Sequence, residues 1–419
     1  MRRFFRPPRR LDRHQWQVLG ALGTANLVDS YDLGILSLAL PQIQRGLGIA
    51  EGDLGGLMAA VRLGVIPALV LTVLADSVGR RRLLLLTIVC FTACTGLTAF
   101  ARSPAEFAAL QFLARIFIAA EGMLAVVVLV EELAAGNRGW GLGVLGAMGA
   151  LGHGVASLVF SVVNVLPFGW RALYGLGVVP LLLLAWFRRS LRETRRFEAR
   201  PMRPPSASAW REMLRPLQSV VRAYPERIVA LSLAVFPAAF AISTAAMFSS
   251  KFLQETHGYS PAQVATLYLT VGVLAPLGHV AGGRLGDLFG RKRVLVVALC
   301  GSVAAIAGFY NLPGVWVPLA WGLTVMMGMM SEVLFAALGS ELFPTSYRST
   351  ASGVRAVVAT LGTVLGLWLE GYLYAVFGSH AMAISAMLLL APLAPLVVAC
   401  CLPETANREL EAIAPEKPE

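Results

Sequence analysis

Apolar residues in this chain come in runs too long for the interior of a soluble domain. Val126–Val130, Leu181–Ala185 and Leu388–Cys400 each lie within such a run, and a helical bilayer crossing needs about 20 apolar residues. Backbone in hydrocarbon has to satisfy its own hydrogen bonds, so a chain of this kind folds as a bundle of spanning helices. Composition closes off the soluble alternative. Of 419 residues, 57% are hydrophobic and 14% charged, whereas soluble domains carry roughly 25% charged residues. The runs predict twelve helices, over 15–40, 54–74, 83–101, 107–134, 140–166, 171–187, 227–250, 262–285, 293–310, 315–340, 350–377 and 380–402. The basic N-terminal stretch is followed by no small-x-small cleavage site, so the first run reads as a retained helix, not a signal peptide. Cys90, Cys94, Cys300, Cys400 and Cys401 all fall in apolar runs without metal-ligand spacing and read as buried thiols.

Basic residues set the orientation. With the N-terminus in the cytoplasm, one side holds the tail arginines, Arg80–Arg82, Arg138, the cluster from Arg188 to Arg227, Arg284, Arg291–Arg293, Arg348, Arg408 and Lys417. The other side holds only Arg45, Arg102, Arg171 and Lys251. Positive residues concentrate on cytoplasmic loops, so both termini and the central loop are expected inside. The net charge of +11 is then a topology signal, not a nucleic-acid surface. The expected organisation is a cytoplasmic tail over 1–14, a six-helix bundle over 15–187, a basic linker over 188–226, a second six-helix bundle over 227–402 and a cytoplasmic tail over 403–419.

The two halves repeat each other. Asp76, in Ala75-Asp-Ser-Val-Gly-Arg-Arg-Arg82, recurs 211 residues later as Asp287 in Gly286-Asp-Leu-Phe-Gly-Arg-Lys-Arg293. Glu132 and Arg138 recur as Glu341 and Arg348, at offsets of 209 and 210, and Glu193 recurs as Glu404 at 211. Both halves begin on the same side, so they are parallel repeats, an arrangement that places the solute pathway near the midplane.

The loop signature Gly-x-x-x-Asp-x-x-Gly-Arg-Lys/Arg resembles that of the major facilitator superfamily, and the resemblance spans essentially the whole chain. It is intact as Gly283, Asp287, Gly290, Arg291 and Lys292. In the first half Asp76, Gly79, Arg80 and Arg81 match, with Thr72 in place of the glycine and Ser77 in place of a basic residue. The resemblance implies an all-α integral membrane fold of twelve helices in two six-helix parallel-repeat bundles, working by alternating access. It also implies that the aspartate and arginines latch a cytoplasmic gate. Glycines in so short a turn can adopt positive φ. Glu341-Leu-Phe-Pro-Thr-x-x-Arg348 and Pro403-Glu-Thr405 look like loop motifs of sugar and organic-acid members; Glu132 and Arg138 are their first-half counterparts.

Ionisable residues inside hydrocarbon cost about 2.5–3.5 kcal/mol each on insertion scales and are functional candidates by default. Counting a rise of 1.5 Å per residue from the cytoplasmic helix ends places Asp29, Asp32, Arg62, Arg115, Glu121 and His153 roughly 18–27 Å deep, near the bilayer centre. Glu332 comes about 14 Å in, positioned to line the cavity or to pair with Arg355. Asp29 and Asp32 share one face of a helix. Two carboxylates that close repel, so one is expected to hold a proton near neutral pH, and Arg62 or Arg115 could release it. The same set could instead be a static ion network joining helices. Glu370 and Lys251 fall near the outer face, where water would reach them; Tyr31, Phe240, Phe248 and Trp321 are candidates for the solute wall. The glycines Gly141, Gly143, Gly146, Gly149, Gly152 and Gly154 predict close helix packing.

Asp29-Ser-Tyr-Asp32 resembles the Asp-Gly-Tyr/Phe-Asp element of the aromatic acid:proton symporters, with Ser30 replacing glycine. Arg115 matches the helix 4 arginine of proton-coupled members. The Gly-Pro pair of drug:proton antiporters is missing, since His153 follows Gly152. These readings favour a proton-coupled symporter of a small metabolite such as an organic acid, aromatic acids included. A sugar or polyol porter or facilitator is the alternative, with drug efflux behind it. No enzyme, cofactor, metal or nucleic-acid function is expected. Partners are the lipid bilayer, a small-molecule solute and protons. A two-half architecture is self-sufficient as a monomer, and the excess of arginine over lysine suggests the plasma (cell inner) membrane of a bacterium.

Overall fold

The computed structural model of the protein describes residues 11–133, 135–188, 218–344 and 347–406. Residues 1–10 of the expected N-terminal tail, most of the basic linker and the end of the C-terminal tail lie outside them. Every regular element described is helical. In chain order the helices are α1 (Arg13–Leu38), α2 (Leu40–Leu47), α3 (Glu51–Arg62), α4 (Val65–Val78), α5 (Arg80–Thr98), α6 (Pro104–Glu132), α7 (Ala135–Phe160) and α8 (Trp170–Arg188). There follow α9 (Pro225–Glu255), α10 (Pro261–Gly272), α11 (Leu274–Phe289), α12 (Arg291–Asn311), α13 (Val317–Glu341), α14 (Arg348–Phe377), α15 (His380–Leu388) and α16 (Leu393–Cys401).

Local chemistry sets the ends of these helices. Asp12 and Gln15 form a reciprocal capping box at the start of α1, each side chain serving the other's backbone N–H. Ser103 caps α6, and Pro104 occupies its first turn, where a missing N–H costs nothing. Several runs read as single helices are interrupted. The second span breaks at Leu63–Gly64, between α3 and α4, and its repeat breaks at Val273, between α10 and α11. The last span breaks between α15 and α16.

Among the described residues, nine helices are long and apolar enough to cross a membrane. The expected first, third and sixth spans are not among them. Polar residues lower the hydropathy of α1, and Arg82–Thr98 of α5 forms a shorter apolar helix.

The described residues form two compact units. One draws on the chain up to Ile49, on Ala60 onward through the first half, and on Tyr259–Thr266. Within it α1 packs chiefly on α7, α4 on α6, and α5 on α6 and α8. The other draws on Ala50–Ala59, the segment ending at Gly258, and Leu267 onward. Within it α9 packs chiefly on α14, α11 on α13, and α12 on α13. Helices that correspond in the repeat therefore pair in the same way, and the repetition of motifs is also a repetition of packing.

Lipid tails are as apolar as leucine, so helices here associate through close packing. Gly152 on α7 faces the Leu27 carbonyl and Ser30 of α1, where no side chain would fit. Asn26 on α1 donates to the Leu145 carbonyl of α7 at 2.7 Å. The glycine expectation holds at Gly141, Gly149 and Gly152, whereas a side chain at Gly143 or Gly146 would meet nothing. The expectation of buried cysteines holds for Cys94 alone: Cys90 is half-buried, and Cys300, Cys400 and Cys401 are exposed. An apolar side chain on a spanning helix can be solvated by lipid and has no need of a protein interior.

Candidate coupling and substrate site

In the first unit, α1 carries Asp29 and Asp32 into the interior, at 5% and 3% exposure. Tyr31 fixes this part of α1 by donating its hydroxyl hydrogen to the Leu173 carbonyl on α8 at 2.8 Å. From α5, Thr95 donates to Asp32 Oδ1 at 3.3 Å. Arg115 on α6 lies within electrostatic range of Arg62, Asp32 and Asp29. The break in the second span explains the proximity of the two arginines. Arg62 is the last residue of α3, and Gly64, two residues on, lies against α6 so closely that a Cβ there would stand 2.6 Å from the Phe112 carbonyl oxygen and 3.0 Å from Arg115 Cβ. A substituted residue at Gly64 would push this turn away. Four of the expected central residues therefore form one ionic set, two carboxylates and two guanidiniums.

The other expected central residues lie differently. Glu121 is buried on α6 at 1% exposure. His153 on α7 is exposed, with its Nδ1 3.3 Å from the Gly149 carbonyl oxygen. Glu332 on α13 is exposed, and its ionic neighbour is His279 at 3.9 Å. Of the two alternatives for Glu332, pairing with Arg355 is not seen; that side chain lies beside Gly339, two turns away on α13. The expected wall aromatics are buried: Tyr31, Phe240, Phe248 and Trp321 are all at 7% exposure or less. Phe240 stacks near Phe236, and Trp321 packs against Tyr268 and Phe309. These rings fill protein interior.

The loop signature is seen in full in the second unit. Gly283 lies in α11 and Gly290 follows that helix with φ 101°. Arg291 pairs with Asp287 at 3.2 Å and with Glu341 at the end of α13. The Glu404 carboxylate accepts hydrogen bonds from the backbone N–H groups of Arg291 at 2.8 Å and Lys292 at 3.2 Å. It sits at the N-terminus of α12, where unpaired N–H groups and the helix dipole favour an anion. Gly290 leaves the room: a Cβ there would stand 2.5 Å from Glu404 Oε2. Arg348 Nε donates to the Phe343 carbonyl at 3.2 Å. In the first unit Gly79 adopts the same positive φ, 106°, and Glu132 lies 3.5 Å from His14 Nε2. The side chains of Asp76, Arg80, Arg81 and Arg138 lie outside the described residues.

A second ionic cluster was not foreseen. Lys251 and Glu370, expected to be wet, are both fully buried in the second unit. Lys251 Nζ lies 3.0 Å from Glu51 and 2.6 Å from Glu255. Glu370 meets His380 Nδ1 at 2.5 Å. Each buried charge has a partner on another helix, Glu51 for Lys251 and His380 for Glu370, which depth counting along one helix does not reveal. Glu51, Glu255 and His380 could each offer an atom to one cation, but the Lys251 ammonium already supplies positive charge to both carboxylates.

The repeated signature, the repeated packing and the ionic set within spanning helices describe a membrane transporter, and comparison with known proteins gives its family. The chain belongs to the Major Facilitator Superfamily, whose sequence profile matches residues 22–338 and 231–418. It is 27% identical to a proposed niacin/nicotinamide transporter of Bacillus subtilis, over 95% of this chain and 98% of that one. It is 21% identical to the benzoate transport protein of Acinetobacter baylyi, over 87% of this chain and 84% of that one. In fold it is similar to a D-xylose-proton symporter, with a TM-score of 0.77 at 18% identity, covering 94% of this chain and 99% of that one. The protein is thus a multi-pass secondary transporter of small molecules with an alternating-access fold, related to the aromatic-acid and sugar-porter branches, and not an enzyme.

Proposed function

We propose that this transporter is a proton-coupled symporter of a small organic acid, with an aromatic acid as the leading substrate class. The observation that carries this reading is one electrostatically joined set in one unit, the buried Asp29 and Asp32 with the half-buried Arg62 and Arg115. With all four ionised the set is neutral. A proton taken up by either carboxylate leaves a net positive charge, and a carboxylate solute neutralises it. In a low-dielectric site that attraction is strong, so proton and anion each raise the other's affinity. The interruption of corresponding spans at Leu63–Gly64 and Val273 supports a solute site at this depth, since such breaks mark transporter binding sites. Similarity to a benzoate transport protein supports the substrate class.

The remaining topology belongs to the same proposal. Twelve spans form two six-helix bundles, over 15–187 and 227–402, joined by a cytoplasmic linker. Both termini lie in the cytoplasm of a cell whose inner membrane holds the protein as a monomer. The contacts of Glu341, Arg291 and Glu404 support a cytoplasmic latch at the loop signature.

The test is lumenal pH in proteoliposomes carrying a trapped dye while benzoate, other organic acids, sugars and drugs are added outside. Acidification by an organic acid above that in protein-free liposomes, abolished in Asp32→Asn, is expected. Equilibration of a labelled sugar without proton movement would overturn the proposal and leave the ionic set as a structural network.

A further inference from the structure

The cluster around His380 has a proton requirement that its geometry makes explicit. Glu51 opens α3, Lys251 and Glu255 close α9, Glu370 lies on α14 and His380 opens α15. All five belong to the second unit. The imidazole is clamped between Phe248 at 5.0 Å and Tyr374 at 4.3 Å between ring centres. Its Nδ1 is 2.5 Å from Glu370 Oε1 and its Nε2 is 3.3 Å from Glu51 Oε2. A neutral imidazole donates from one nitrogen only. Facing two ionised carboxylates, it would set a ring lone pair against an oxygen lone pair at the other contact. Both contacts close only when the trio holds one more proton, on the ring or on a carboxyl. The surrounding charges favour its uptake. Three carboxylates, from Glu51, Glu255 and Glu370, face one ammonium, from Lys251. Tyr374 adds a hydroxyl, and Tyr310 on α12 turns its hydroxyl to the Ala245 carbonyl at 2.6 Å.

We propose that Glu51, Glu370 and His380 form a second proton-binding site, separate from Asp29 and Asp32, and that its proton fastens the first turn of α3 to the ends of α9, α14 and α15. Lys251 serves the same fastening by bridging Glu51 and Glu255. The orientation proposed above turns this site to the outer face, where external pH would set its occupancy; the binding itself does not depend on that orientation.

Melting temperature against pH, measured on the purified full chain in detergent, tests it. Loss of the proton breaks one contact, so the wild type is expected to melt lower as pH rises from 5.5 to 8.5. Glu370→Gln supplies an amide N–H to the ring and lets neutral His380 donate to Glu51, so every contact closes without the extra proton. This variant is expected to stay folded and to lose about 3 °C or more of the wild-type decline. The double variant Glu370→Gln with His380→Gln, which removes both members of the closest pair able to take up the proton, is expected to flatten the curve likewise. Curves for both variants parallel to the wild type would overturn the proposal. Because the readout is stability, failure of the transport reading would leave the result standing, and the reverse also holds.

Discussion

Gly290 and Glu404 show what a single position does here. The backbone at Gly290 holds φ 101° and ψ 132°, a region L side chains rarely enter, and the Glu404 carboxylate occupies the place a Cβ would take. The carboxylate also accepts from the backbone N–H groups of Thr405 and Ala406, each at 3.0 Å, so it ties the chain after α16 to the start of α12. Gly290→Ala is therefore expected to cost about 1–3 kcal/mol in backbone strain and to lower the melting temperature by several degrees. An unchanged melting curve would show that the Glu404 cap is not formed. Tyr31 makes the complementary case inside the membrane. Tyr31→Phe removes the bond to the Leu173 carbonyl and is expected to cost about 1 kcal/mol, read as a small drop in melting temperature without loss of the fold.

At the scale of elements, α1 against α7 is the contact that positions the ionic set. Gly152→Val would drive a side chain into the Leu27 carbonyl, while Gly143→Val on the same helix meets open space. The first is expected to lower melting temperature and uptake sharply and the second to change both little. Equal effects would contradict close α1–α7 packing. Much of this element structure was legible in the sequence, for a reason that also set its limit. Hydropathy records how far a run extends, so each expected span finds a helix at its place. It does not register a break of one or two residues, and Leu63–Gly64 and Val273 are apolar or small residues that leave the run unmarked. Asp29, Asp32, Arg62 and Arg115 were legible because charge stands out in an apolar helix. Thr95 was not, since a threonine in such a helix ordinarily bonds its own backbone. Lys251 and Glu370 were misread as wet because their partners come from other helices: Glu51, 200 residues from Lys251, and His380, at the start of the helix after that of Glu370.

At the scale of the whole molecule, the duplicated signature, the matched helix pairs and the family place a transporter in the membrane, and the proposed function adds a direction to its energetics. If both termini are cytoplasmic, tags at either end of the chain are shielded in right-side-out cells and exposed in inverted vesicles; opposite behaviour of the two tags would require an odd number of spans. The central claim is that a proton on Asp29 or Asp32 and the solute anion bind one site together. The most direct measurement compares two modes of transport in proteoliposomes holding wild type or Asp32→Asn: accumulation of labelled benzoate driven by an inward proton gradient, and exchange of labelled for unlabelled benzoate with no gradient. The account predicts that Asp32→Asn loses at least about tenfold in gradient-driven accumulation while exchange continues, because the charge balance that favours the anion is preserved but no proton is carried. Accumulation at the wild-type level in both Asp32→Asn and Asp29→Asn would contradict it.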